Sequence, residues 1–230
     1  MVAVRIDVGV GPAQPARVSI GTMHPIDVDT PHGIAAAHLS LVEAPRGAVV
    51  LGHGAGGGIG APDLVAVAAV AHDAGFTVAL VEQPYRVAGR RSPPRAPVLD
   101  AAWTAVVERL RRDHLAGLPI VVGGRSSGAR VACRTAALTG AAGVLCLAFP
   151  LQPPRRTGRA EAPSRLPELD GVDVPVLVLQ GERDPFGRPP TAVGRSVVVV
   201  PGDHALRTGL PAIASATLAW LEEVVAIERG

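Results

Sequence analysis

The chain contains no lysine: all 22 of its Lys/Arg residues are arginine. Schiff-base chemistry, a pyridoxal-phosphate anchor and the lysine of a Walker A phosphate loop are therefore excluded together. Asparagine is also missing, which removes any N-glycosylation acceptor. The two cysteines, Cys133 and Cys146, are too few for a disulfide framework and lack metal-ligand spacing. They are expected to be small core residues, and no metal is expected. Aromatic residues make up only 3% of the chain and the net charge is +2, so neither a base-stacking platform nor electrostatics argues for nucleic acid. No uncharged apolar run reaches the roughly 18 residues that suggest a membrane span. The start, MVAVRIDVGVGPAQP, lacks the basic and long apolar regions of a signal peptide. These absences together lead us to expect a cytoplasmic protein without a membrane partner.

What is present is a substantial apolar fraction, 48% of 230 residues, enough for one large α/β domain covering residues 1–230. The first 45 residues carry short apolar segments (VAVRIDVGV, RVSI and IAAAHLSLVEA) that read as antiparallel strands at a sheet edge. After them the pattern changes. GAVVLG, FTVALVE, PIVVGG, GVLCLAFP, VPVLVLQ and RSVVVV read as buried strands. Helical stretches separate several of them (PDLVAVAAVAHDAG, VLDAAWTAVVERLRRDH and the run after GRSSG), and PAIASATLAWLEEVVAIERG closes the chain as an amphipathic helix. Continuous Val/Leu/Ile runs suit strands covered on both faces, and the alternation with helices predicts a mostly parallel central sheet flanked by helices. Residues 84–97 read as a loop. The Pro- and Arg-rich connection at 150–172, with at most one helical turn, is too short for a large lid and predicts an open site.

In such sheets ligands sit beyond the carboxyl ends of the strands. HGAGGG, GRSSG, GERDPFG and GDHAL all follow strands. Gly124-Arg125-Ser126-Ser127-Gly128 is a G-x-S-x-G pattern between a buried strand and a helix, a context in which a sharp turn pushes the serine hydroxyl clear of the backbone. Its flanking glycines must be small because the turn brings them together. A serine needs a base, and the base needs an orienting acid. Downstream of Ser126 the only histidine is His204, which makes it the candidate base. Asp184, shortly after VPVLVLQ, is the favoured acid, with Glu182 its close competitor. Asp170, Asp173, Glu161 and Glu168 lie further back, and Asp203, adjacent to His204, reads as a loop-shaping residue. His24, His32, His38, His72 and His114 read as packing or surface residues.

Donors for a developing oxyanion are expected at the backbone N–H of Ser127, opening the helix, and in the loop Gly52–Gly58, with Ala55 first and Gly54 or Gly56 beside it. His53 reads as a residue that shapes this loop. Arg125 abuts Ser126 and is the candidate substrate contact, with contact to neighbouring loops as its other reading. Arg86, Arg90, Arg91, Arg155 and Arg156 also crowd the loops, where a solvated role is expected.

The ordered set HGAGGG, GRSSG, GERDPFG and GDHAL resembles the α/β-hydrolase superfamily. It looks most like the small branch related to dienelactone hydrolase, which also includes animal chromatin-complex and testis-expressed relatives. The resemblance runs from about residue 30 to the end. It implies a Ser126–His204–Asp184 triad with oxyanion donors at Ala55 and Ser127, and a small-molecule acyl substrate handled without a cofactor. One departure is visible: true dienelactone hydrolases carry cysteine where this chain has Ser126. Two other readings compete. Gly52-x-Gly54-x-x-Gly57 with Glu82 matches the parts of a dinucleotide fingerprint. A catalytically silent hydrolase fold would serve binding alone.

Overall fold

The structure is a computed structural model that describes residues 23–154, 158 and 162–229. The predicted strand segments VAVRIDVGV and RVSI lie outside the described residues, as do Arg155, Arg156 and Glu161.

Eight strands form one sheet. β1 (His24–Thr30) and β2 (Gly33–Ser40) form an antiparallel hairpin, followed by β3 (Gly47–Gly52), α1 (Pro62–Asp73) and β4 (Phe76–Glu82). Next come α2 (Pro84–Val87), α3 (Ala96–Asp113), β5 (Ile120–Arg125), α4 (Ser127–Thr139) and β6 (Gly143–Leu147). The chain ends with α5 (Leu166–Asp170), β7 (Val176–Gly181), β8 (Arg195–Val200) and α6 (Leu210–Arg229). The strand order is β1-β2-β4-β3-β5-β6-β7-β8. β2 pairs antiparallel with β4, and every pairing from β4 through β8 is parallel. This is the mostly parallel sheet that the Val/Leu/Ile runs predict. All residues of β3, β6 and β7 are buried, as strands covered on both faces require.

Two elements differ from the sequence reading. β1 forms on HPIDVDT, a stretch too polar to read as a strand; the register with β2 imposes it. Within 84–97, Pro84 at the first position opens the single turn of α2, because its fixed φ suits a helix start. α5 is the one helical turn expected in the 150–172 connection.

The helices cover both faces of the sheet. α3 and α4 bury Trp103, Val106, Leu110 and Ala132 against Val50, Val122 and Val144. α1 and α6 bury Leu64, Val67, Trp220 and Leu221 against Val49, Leu51 and Phe76. Each fully buried large apolar side chain contributes about 1.5–3 kcal/mol relative to exposure. By length and composition alone α6 is apolar enough to cross a membrane, yet it packs Ile213, Leu221, Val224 and Val225 into this second core. Cys133 and Cys146 are buried and unbridged on the α3/α4 side, with their sulfurs 3.5 Å apart.

The topology sets the site. From β3 the chain crosses to β4 on one side, then returns past β3 to β5 on the other. The loops leaving β3 and β5 therefore diverge and open a crevice between the carboxyl ends of these neighbouring strands. HGAGGG and Ser126 both emerge there.

Candidate active site

β5 ends at Arg125 and α4 begins at Ser127, leaving Ser126 alone to make the turn. Its φ of 52° and ψ of −104° lie in a region that side-chain-bearing residues rarely occupy. The strain is held by neighbours: the Ser126 N–H donates to the Leu147 carbonyl at 2.8 Å, tying the turn to the end of β6. The flanking glycines answer a steric demand. A Cβ on Gly124 would lie 2.3 Å from the Gly52 carbonyl oxygen, and one on Gly128 2.5 Å from the same atom. The end of β3 is wedged against the turn, and only glycine fits on either side.

The loops after β7 and β8 bring the partners. His204 Nε2 lies 2.9 Å from Ser126 Oγ, and His204 Nδ1 lies 2.8 Å from Asp184 Oδ2. The Asp184 side chain is 1% exposed. It accepts from Gln180 Nε2 at 2.8 Å and from the Phe186 N–H at 2.9 Å, so its rotamer is fixed from two directions. Glu182 points elsewhere: it pairs with Arg183, and its side chain is 45% exposed. Asp203 accepts from the Ala205 N–H at 2.9 Å and so shapes its own loop. Phe186 stacks on His204 with ring centroids 4.3 Å apart, covering one face of the imidazole. Of the two acids, the structure places Asp184 against the imidazole and leaves Glu182 outside.

Arg125 takes the second of its two readings, contact with neighbouring loops. Its Nη2 donates to the His204 carbonyl at 2.9 Å, and its Nε lies 3.0 Å from Asp63 Oδ2 in an ion pair. Asp63 is fully buried in the first turn of α1. Burial pushes its carboxyl above the ordinary value, and the nearby guanidinium pulls it back down. The Arg125 guanidinium is held by Asp63 and the His204 loop. It ties the serine turn, the start of α1 and the histidine loop together.

The glycine loop after β3 is anchored by two rings. His53 is buried; its Nδ1 lies 2.9 Å from the Gly54 carbonyl, and its Nε2 accepts from the Gln83 N–H at 3.1 Å. This pairing requires the neutral imidazole with its proton on Nδ1. Burial favours that form by lowering the His53 pKa. Tyr85 donates its hydroxyl to the Ala55 carbonyl at 3.0 Å. A trans peptide carries its C=O and the following N–H on opposite sides. Holding the Gly54 carbonyl at His53 therefore turns the Ala55 N–H away from the imidazole, and holding the Ala55 carbonyl at Tyr85 turns the Gly56 N–H away from the phenol. Gly54 itself lies beside the serine, where an added Cβ would be 3.7 Å from Ser126 Cβ. Ser127 is the first residue of α4, where backbone N–H groups have no partner within the helix.

Sequence reading did not single out Gln180, Phe186, Tyr85 or Asp63. Gln180 offered one signal, a polar residue ending an unbroken apolar strand. The dinucleotide reading finds a different setting. Gly57, the third glycine of that pattern, would place a Cβ in open space, and Glu82 faces His38 Nε2 at 3.2 Å. Arg86 lies in α2, and Arg90 and Arg91 stand exposed in the loop after it. Among the described residues no group of three or more His, Cys, Asp or Glu side chains could hold a metal ion.

A family model for the α/β hydrolase domain matches residues 45–207. Among curated proteins no sequence matches the chain. Solved structures share its fold. A serine hydrolase without a lid from Xanthomonas campestris superposes with a TM-score of 0.68 at 20% identity, over 93% of this chain and 97% of that one. Dienelactone hydrolase from Anabaena variabilis gives 0.69 at 18% identity, over 87% and 97%. Est1E from Butyrivibrio proteoclasticus gives 0.68 at 16% identity, over 88% and 99%. The match spans the glycine loop after β3, the strained serine turn and the aspartate loop, and reaches past His204: the chain belongs to the α/β hydrolase family.

Proposed function

We propose that the protein is a serine hydrolase that cleaves carboxylic esters or related small acyl compounds. One observation carries the reading: the unbroken hydrogen-bond line from Ser126 Oγ through the His204 ring to Asp184, at 2.9 and 2.8 Å, starting from a strained turn. In the proposed reaction Ser126 Oγ attacks the acyl carbon and its proton passes to His204 Nε2. Asp184 accepts the Nδ1–H, which fixes the tautomer and stabilises the imidazolium. The carbonyl oxygen gains negative charge and is met by the Ser127 N–H and the Ala55 N–H, with Gly54 giving the close approach. His204 then protonates the leaving oxygen, and the alcohol departs. Water, deprotonated by the same imidazole, attacks the acyl-serine, and Ser126 recovers its proton as the acid leaves. No metal or organic cofactor enters. We also propose that the protein acts in the cytoplasm on small molecules, without nucleic acid or membrane as partner.

The test is labelling by a tagged fluorophosphonate, with the site located by mass spectrometry, beside a Ser126→Ala variant. Ser126 is expected to carry the label, and the variant to lose it. Hydrolysis of short p-nitrophenyl esters should fall by at least about 10⁴-fold in the variant. A folded wild-type protein that takes no label would exclude an activated serine and leave the binding-module reading.

A further inference from the structure

A general base must be held by its backbone as well as by its ring. Asp184 on Nδ1 and Phe186 across one face fix the ring of His204. Its backbone is fixed from the serine turn: Arg125 Nη2 donates to the His204 carbonyl oxygen at 2.9 Å. That bond restrains the peptide beside the Cα from which the imidazole hangs.

The same guanidinium faces two other parts of the site. Its Nε lies 3.0 Å from Asp63 Oδ2. Its Nη1 lies against Gly54, where an added Cβ would be 3.1 Å from it. One planar group therefore meets the histidine loop, the glycine loop and the first turn of α1. An ammonium is a point charge on a flexible stem, whereas a guanidinium spreads its donors in a fixed plane, and three directions at once call for the second. Asp63 is fully buried, and a buried carboxylate needs a cation. Among the described residues its one ion pair is with Arg125. Asp63 thus aims the guanidinium, and the guanidinium aims the loops. Neither residue moves a proton in the proposed reaction.

We propose that Arg125 is a positioning residue for hydrolysis, setting the His204 backbone and Gly54 at the serine, and that Asp63 holds it in that pose. The inference rests on the hydrolase reading and goes beyond it by giving a role to a charged pair outside the triad. A displacement of about 1 Å in such a site costs about 100-fold in rate.

The test is steady-state hydrolysis of p-nitrophenyl acetate by Arg125→Lys, Arg125→Ala and Asp63→Asn, with circular dichroism and melting temperature to confirm each fold. Arg125→Lys is expected to lower kcat about tenfold and Arg125→Ala about 100-fold, with KM within about twofold of the wild type, because the guanidinium orients the base and does not bind the ester. Guanidinium chloride, well below denaturing concentration, should enter the space that Arg125→Ala leaves beside Asp63 and raise its kcat at least about fivefold, while sodium chloride at the same concentration should not. Asp63→Asn should lower kcat about tenfold and show no such rescue, since its arginine is still in place. If Arg125→Ala does not fold, Arg125→Lys keeps a cation beside Asp63 and decides by its kcat and KM. The proposal is overturned if folded Arg125 variants keep the wild-type kcat, if KM rises while kcat holds, as a substrate contact requires, or if kcat falls in Arg125→Ala and guanidinium restores none of it. Fluorophosphonate labelling of the wild-type protein reads the hydrolase reading separately. A protein that takes no label overturns both, and one that is labelled and turns over the ester leaves the variants to decide the arginine alone.

Discussion

Tyr85 illustrates how much one hydroxyl can decide. Its bond to the Ala55 carbonyl adds little to global stability but fixes a peptide plane beside the serine. Tyr85→Phe keeps the ring and removes only that bond. Under the hydrolase reading kcat should fall about five- to tenfold, KM should stay unchanged, and the melting temperature should hold. Steady-state kinetics on p-nitrophenyl acetate read this directly. Equal kcat in the two proteins would mean that the loop holds its shape without the phenol. The residues that bear polar chemistry were legible in the sequence because motif and order constrain them: Ser126, Asp184 and His204 each follow a strand, in the expected order. The residues that orient them were not. Gln180, Tyr85 and Phe186 act through contacts between loops distant in the chain, and nothing in a lone glutamine or phenylalanine records which loop will face it. Arg125 shows the same limit: adjacency to Ser126 says nothing about a guanidinium that reaches Asp63 and the His204 loop.

At the scale of elements, the site depends on how closely β3 approaches the β5–α4 turn. A Cβ on Gly128 would meet the Gly52 carbonyl oxygen at 2.5 Å and the His53 carbonyl oxygen at 2.9 Å, both backbone atoms that cannot rotate aside. Gly128→Ala must push the end of β3 away from α4. It should destabilise the protein by about 1–3 kcal/mol, as overpacking does. Because the glycine loop hangs from that end of β3, activity should fall about 100-fold as well. Gly60→Ala is the control: its Cβ would enter open space, so stability should stay within about 0.5 kcal/mol. Urea unfolding of both variants tests the argument, and equal midpoints for the two would refute it. The same closeness explains what was readable about the elements. Strands buried on both faces announce themselves as Val/Leu runs, so β3 to β8 could be placed from sequence. β1 could not: it lies at the sheet edge with a polar outer face, and its pairing with β2 supplies the order that its composition lacks.

For the whole molecule, stability against acid is shaped by the few ionisable groups that the two cores enclose. Burial lowers the His53 pKa from its ordinary 6.5. As pH falls through 6.5, the unfolded chain takes up a proton that the folded protein still refuses. The unfolded state then binds more protons, so stability falls with falling pH until the folded pKa is passed. Asp63 acts with the opposite sign. Burial raises its pKa above 3.8, so the folded protein keeps a proton that the unfolded chain has already lost. Its effect is a loss of stability as pH rises from 3.8 to the folded value. The two windows start from opposite ends, and the difference between the wild-type protein and a His53 variant just below pH 6.5 isolates the His53 contribution. There the wild-type protein should lose stability with each step towards acid, and His53→Gln, which takes up no proton, should show a shallower slope whatever its absolute stability. Denaturant unfolding at closely spaced pH values between 7 and 5.5 measures both slopes. Parallel slopes would place the proton on His53 as readily in the folded protein as in the unfolded chain. The Nε2 that accepts from Gln83 would then be protonated in the native state, and the neutral-ring anchor of the glycine loop would be lost as an explanation.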